Sequence, residues 1–139
     1  MEYISAEEFL KQPKEVQRIF LDWWQPCVGD LYVDEGCDKK FDDTDGILVF
    51  EEFSDEYLCA YGRYSVSFKG DLIPLLTEGQ LRKFIEDKTK YKLEISYYEI
   101  NGYDISLTDG KTNYFNYLDL GRDLLQTYWK VACEIAKEG

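Results

Sequence analysis

Carboxylates are the most abundant reactive groups in this chain, and they are unevenly placed. Residues 30–56 hold eleven aspartates and glutamates against two bases, Lys39 and Lys40, a local net charge of −9. The other 112 residues hold 17 acids and 14 bases, or −3 of the total −12. Carboxylates at this density support three kinds of chemistry. A pair with opposed proton affinities serves as general acid and base, as in a carboxylate-dependent hydrolase. An oxygen-rich loop holds calcium, and Asp43, Asp45, Gly46 and Glu52 match positions 3, 5, 6 and 12 of an EF-hand loop. Phe41 stands at position 1, however, where it cannot ligate, and the flanking runs read as strands, so no metal or other cofactor is expected. The third possibility is a directional negative field that addresses a positively charged macromolecule. Its plain alternative is an acidic face that keeps a tyrosine-rich sheet soluble.

Other chemistries are excluded by residue type. No histidine occurs in the 139 residues, which removes imidazole as base, proton shuttle or metal ligand. Cys27, Cys37, Cys59 and Cys133 form no C-x-x-C pair and are expected as reduced thiols; a Cys27–Cys37 bridge has no support in the pattern. Neither G-x-x-x-x-G-K-[ST] nor G-x-G-x-x-G occurs, so nucleotide chemistry has no motif. The net charge opposes direct binding to nucleic acid or to an anionic membrane. No apolar run reaches the length of a membrane span, and the first residues lack a signal-peptide pattern, so a cytoplasmic protein is expected.

The aromatics are a second candidate for recognition. They make up 17% of the chain, twelve of them tyrosines. Trp23-Trp24, Tyr97-Tyr98 and Tyr114-Phe115-Asn116-Tyr117 place neighbouring rings on opposite faces of their elements, so some must be exposed or at an interface. Tyrosine gives large contact area at low entropic cost, which suits an interface beside carboxylates. A two-layered fold that partly covers both sheet faces would account for the same pattern.

The elements that must carry these groups follow from caps and periodicity. Ser5-Ala6-Glu7-Glu8 has the form of a capping box and starts a short helix. Pro13 suits the first turn of a second helix bearing Val16, Ile19, Phe20 and Trp23, with a bend at Lys11–Gln12 and a stop at Pro26 and Gly29. Short apolar runs at 31–33, 47–50, 57–61 and 64–68 predict strands. Thr77-Glu78-Gly79-Gln80 caps a helix with Leu81, Phe84, Ile85 and Lys88 on its period. From Lys92 a period of two, broken at Asn101-Gly102 and Asp109-Gly110, predicts a three-strand meander. A three-residue loop ending at Gly102 would set Tyr97 opposite Ile105 and Ile95 opposite Leu107. A last helix carries Leu120, Leu124, Tyr128, Ala132 and Ile135 on one face. The fold expected is α+β, a single domain in which an antiparallel sheet with a meander packs against N-terminal, central and C-terminal helices.

Several stretches resemble small uncharacterised proteins of phages and prophages of Gram-positive bacteria. These are Ile4-Ser5-Ala6-Glu7-Glu8-Phe9-Leu10 through Pro13-Lys14-Glu15-Val16-Gln17 to Asp22-Trp23-Trp24, then Ile73-Pro74-Leu75-Leu76-Thr77-Glu78-Gly79-Gln80-Leu81-Arg82. Asp123-Leu124-Leu125 with Tyr128-Trp129-Lys130-Val131-Ala132 is similar too, while the acidic segment lies outside the likeness. The resemblance transfers no catalytic residue and implies a phage origin. By analogy with anti-restriction and anti-CRISPR proteins, it suggests a non-enzymatic inhibitor that imitates a phosphate backbone in the cytoplasm of the host. The partner would be a basic, nucleic-acid-binding defence effector, for instance of Cas9 type. Its binding residues would be Asp34, Glu35, Asp38, Asp42, Asp43, Asp45, Glu51, Glu52, Asp55 and Glu56, with Tyr98 and Tyr114 for short-range packing. The sequence specifies no oligomeric state. The competing readings are a phage accessory module that docks through its aromatics and a histidine-free hydrolase.

Overall fold

The computed structural model describes residues 2–27, 29–34, 47–54, 57–60, 66–68, 72–112 and 114–139; for 34 and the strands between 47 and 68 this is backbone only. The fold is α+β, with helices and antiparallel sheets. The chain divides into two compact units, Ser5–Leu75 and a second formed by Leu76–Gly139 with the stretch up to Ile4.

In the first unit, α1 (Ala6–Leu10) begins where the Ser5 hydroxyl accepts the Glu8 N–H at 3.2 Å, and α2 (Lys14–Trp23) begins after Pro13. The break between them is held by a buried polar residue that the apolar period did not reveal. Gln17 donates its side-chain amide to the carbonyls of Leu10 (3.3 Å) and Gln12 (2.8 Å), so chain-end acceptors of α1 are satisfied by a group from α2. Phe9 and Phe20 pack at 6.2 Å between ring centroids.

Five strands follow: β1 (Leu31–Asp34), β2 (Ile47–Ser54), β3 (Tyr57–Ala60), β4 (Val66–Phe68) and β5 (Leu72–Pro74), in sheet order β4-β3-β2-β1-β5. The first four match the predicted runs. β5 is not among the predicted runs. It is an edge strand, where Pro74 opposite Tyr32 is tolerated, because an edge has one side without ladder partners. Trp24, Tyr32 and Leu72 form a core cluster against which Leu21 and Trp23 pack. Both residues of the tryptophan pair therefore contribute to packing, Trp24 fully buried and Trp23 half-buried.

The second unit contains α3 (Glu78–Thr89), β6 (Lys92–Tyr98), β7 (Gly102–Thr108), β8 (Tyr114–Tyr117) and α4 (Leu124–Glu138). Thr77 and Gln80 form the reciprocal capping box, and Leu81, Phe84 and Ile85 are buried. Lys88, placed on the same period, is exposed. The helix ends at Lys90 in the left-handed region, φ 64°. α4 starts at Asp123, whose side chain accepts the Gln126 N–H at 3.0 Å, so Leu120 lies outside the helix. Nine of its fifteen residues are buried, a wider arc than the single stripe expected.

The meander forms as predicted, in the order β6-β7-β8, but the hairpin register differs from expectation. Tyr97 faces Tyr103, Ile95 faces Ile105 and Leu93 faces Leu107. The loop is Glu99-Ile100-Asn101, and Gly102, at φ 84°, is already the first residue of β7. The cause lies in tertiary contacts. The chain after β8 returns to lie beside Gly102, with Tyr103 N–H donating to the Gly121 carbonyl (2.7 Å) and Leu120 N–H donating to the Tyr103 carbonyl (2.9 Å). Arg122 closes the turn by donating to the Glu99 carbonyl at 2.6 Å. Since the shift is by two residues, the apolar set keeps its face.

Candidate protein-docking surfaces

The acidic segment belongs to the first unit. Ser5–Leu75 contains 16 acids and 7 bases, net −9, and the rest of the chain 12 acids and 9 bases, net −3. Among the candidate carboxylates, Asp34 ends β1, and Glu51 and Glu52 lie in β2. Val33 faces Ile47 and Leu31 faces Val49, so Asp34 and Glu51 stand at opposite ends of this strand pair, about 17 Å apart along the strands at ~3.3 Å per residue. Between Phe50 and Glu52 the ladder with β3 shifts by one residue, setting the Glu51-Glu52 pair opposite Cys59. Such a bulge bends and twists its strand locally. Glu35, Asp38, Asp42, Asp43, Asp45, Asp55 and Glu56 lie outside the described residues.

One acid of the segment has a structural role. The Asp30 carboxylate accepts from the Trp24 indole N–H (3.0 Å) and from the Cys27 backbone N–H (2.9 Å) through a single oxygen, closing the turn after α2. Cys27 in that turn is exposed and Cys133 is buried, and neither is in a disulfide. The supposed calcium loop ends on Glu52, which is in a paired strand and not at the head of a helix as an EF-hand requires. Among the described residues no group of three His, Cys, Asp or Glu side chains is placed to hold a metal ion.

Tyr98 and Tyr114 are both exposed, at 53% and 58%, and the ladder puts them on one face of the meander. They are not neighbours. Tyr114 stands opposite Thr108 and hence level with Lys92, six residues along β6 from Tyr98, a distance of about 20 Å. The face between them is polar: Glu94, Ser96, Asp104, Ser106 and Asn116, with Ser106 donating to the Asn116 side-chain oxygen at 2.8 Å. The opposite face carries Leu93, Ile105 and Leu107, which are buried. At its margin lie half-exposed rings, Tyr97 against Tyr103 (4.8 Å) and Phe115 against Tyr91 (5.4 Å). Ile100, at the hairpin tip, is 88% exposed.

The two edges of this sheet differ. On β6, the Leu93 N–H donates to Glu86 (3.0 Å) and the Leu93 carbonyl accepts from Arg82 (3.0 Å), side chains that also pair with each other at 3.6 Å. The Arg82–Glu86 pair thus satisfies Leu93 much as a neighbouring strand would. Sequence reading missed this role; the available signal was an i,i+4 charge pair just before a strand. A shallow groove of about 330 Å³ on the same side is lined by Arg82, Lys83, Glu86, Asp87, Lys90, Tyr91 and Lys92. Its two carboxylates are in i,i+4 ion pairs with Arg82 and Lys83, an arrangement that solvates a helix face.

Two tyrosine hydroxyls hold their protons more tightly than usual. Burial raises Tyr117, with further contributions from Glu138 and Glu134, and burial also raises Tyr128, partly opposed by Arg82. Among the described residues no helix is long and apolar enough to cross a membrane. No family model, no curated protein and no solved structure matches this chain.

Proposed function

We propose that this chain is a non-enzymatic inhibitor of phage origin, acting in the host cytoplasm, that binds a basic nucleic-acid-binding defence effector through its acidic segment. A Cas9-type nuclease, whose guide and target channel is basic, is the first candidate. The observation that carries the reading is the charge asymmetry: the excess of −9 falls between residues 30 and 56, the stretch of sequence that contains β1 and β2. Carboxylates at this density along the chain repel one another, and a partner presenting lysines and arginines removes that cost while forming charge-assisted hydrogen bonds. The carboxylates take the positions of phosphates, and exposed tyrosines add packing where the electrostatic steering ends.

The test is inhibition of plasmid cleavage by a purified Cas9-type nuclease, with calorimetry at about 50 mM and about 200 mM salt, where binding through many ion contacts weakens by orders of magnitude. Loss of inhibition on changing Asp42, Asp43 and Asp45 together to lysine is the expected result. Undiminished inhibition by that variant, or affinity indifferent to salt, sinks the mimicry reading. A second reading, an accessory protein that docks through aromatics, is favoured by the exposure of Tyr97, Tyr98, Ile100, Tyr114, Phe115 and Leu118. It predicts that alanine at Tyr98 and Tyr114 abolishes association while the lysine triple variant leaves it intact.

A further inference from the structure

Among the described residues, β8 is an open sheet edge. On β7 the backbone of Tyr103 bonds toward the β8 side, to Leu120 and Gly121, so alternation along the ladder makes Ile105–Tyr117 and Leu107–Phe115 the hydrogen-bonded pairs. The N–H and C=O groups of Tyr114 and Asn116 therefore point away from β7, and among the described residues they have no partner. The β6 edge is guarded at Leu93 by Arg82 and Glu86, and its run contains Lys92 and Glu94. β8 has no such protection: it carries no charge and no proline, its register is unbroken, and Tyr114, Phe115 and Asn116 are exposed. Unsatisfied strand groups in this alternation are complementary to one kind of ligand, another extended strand.

We propose that β8 accepts an extended, basic segment of the protein partner as a fourth strand of the meander. The charge around the edge selects the sign. Glu134 and Glu138, at the end of α4, act on Tyr117 of β8; of the two lysines of α4, Lys137 is paired with Glu134 at 3.3 Å and Lys130 donates to the Leu120 carbonyl at 2.9 Å, and the carboxyl end of the helix dipole adds to the negative field. A second copy of this chain would oppose the same carboxylates and a like net charge of −12. The inference rests on the reading of this chain as a docking protein, but it places this contact in the second unit, independently of the acidic segment.

The probe is a short peptide of alternating lysine and valine, titrated into the full chain with amide exchange followed by NMR, beside a glutamate–valine peptide of the same length. Protection of the Tyr114 and Asn116 amides by the lysine peptide, and none by the glutamate peptide, is expected. Asn116→Pro removes an outward N–H and leaves the backbone bonds to β7 in place, losing only the side-chain bond from Ser106; it should weaken binding about tenfold or more relative to Asn116→Ala, which loses that side-chain bond alone, with the far-UV spectrum unchanged. Absence of protection at these two amides, equal binding of the glutamate peptide, or sedimentation showing that two copies pair through this edge would each overturn the proposal. The variant with lysine at positions 42, 43 and 45 should bind the peptide at β8 as the native chain does. If it loses the peptide, the acidic segment is the peptide site and the edge proposal fails while the mimicry reading survives. If it keeps the peptide and still inhibits the nuclease fully, the mimicry reading fails and the strand edge stands.

Discussion

Gly102 is the residue whose replacement tests the meander most sharply. Its φ of 84° lies in the left-handed region, and a Cβ there would land on the Gly121 carbonyl group. Gly102→Ala therefore combines left-handed strain of about 1–2 kcal/mol with a clash against backbone, and should destabilise by about 3 kcal/mol or more in urea unfolding. Gly110, at φ 78° with open space around its Cβ position, separates the two costs: Gly110→Ala should lose only about 1 kcal/mol. Asp30 offers a second test at this scale. Asp30→Ala leaves the indole N–H of Trp24, itself 1% exposed, without its acceptor, for a loss of about 1–3 kcal/mol and an altered tryptophan emission. Asp30→Asn, which keeps an acceptor oxygen, should recover most of it. A substitution to alanine that left stability unchanged would mean that Asp30 is free to serve as part of the acidic surface. Neither residue could be singled out from sequence: Gly102 reads as a turn glycine, and Asp30 as one of eleven clustered acids.

Legibility improves for elements whose signals are local. The helix caps, the break before Pro13, the strand runs and the meander all depend on residues within a few positions: Thr77 and Gln80 form the full capping box, Ser5 caps α1 through its hydroxyl, and the strands and meander stand where the pattern put them. What remained hidden depends on distant partners: Gln17 at the ends of α1, Gly121 against Gly102, the Arg82–Glu86 pair on the β6 edge, and β5, a three-residue strand defined by its pairing with β1. Aromatic exposure was legible in part. Alternation foretold that rings would occupy both faces of β6 and β8, but not that Tyr98 and Tyr114 would stand at opposite ends of one face. The packing of α4 and β8 carries its own pH signature. Tyr128 and Tyr117 are raised above 10.0 chiefly by burial, so the folded chain binds their protons more tightly than the unfolded one. Their contribution to stability is fully present below pH 10.0 and is lost as pH rises through the folded values. Denaturant midpoints should fall above that pH, and Tyr128→Phe should flatten the fall; an equal slope in the variant would assign the alkaline loss to other groups.

For the molecule as a whole, the decisive property is where the charge of −12 resides. With −9 held by 27 consecutive residues, the chain carries repulsion that grows as ionic strength falls. Exposed charges are screened over about 10 Å at 0.1 M salt, so raising the salt from about 0.01 M, where the screening length is near 30 Å, should relieve the repulsion. The unfolding midpoint of the free protein should therefore rise over this range in a non-coordinating salt such as sodium chloride. Changing Asp42, Asp43 and Asp45 to asparagine should raise the low-salt midpoint and reduce the salt dependence together, because both act on the same repulsion. The opposite outcome is equally clear in meaning. Carboxylates already paired with lysines and arginines would lose attraction as salt is added, and the midpoint would fall. A falling midpoint would remove the physical basis for a basic partner, since groups neutralised within the chain have no field to offer another molecule.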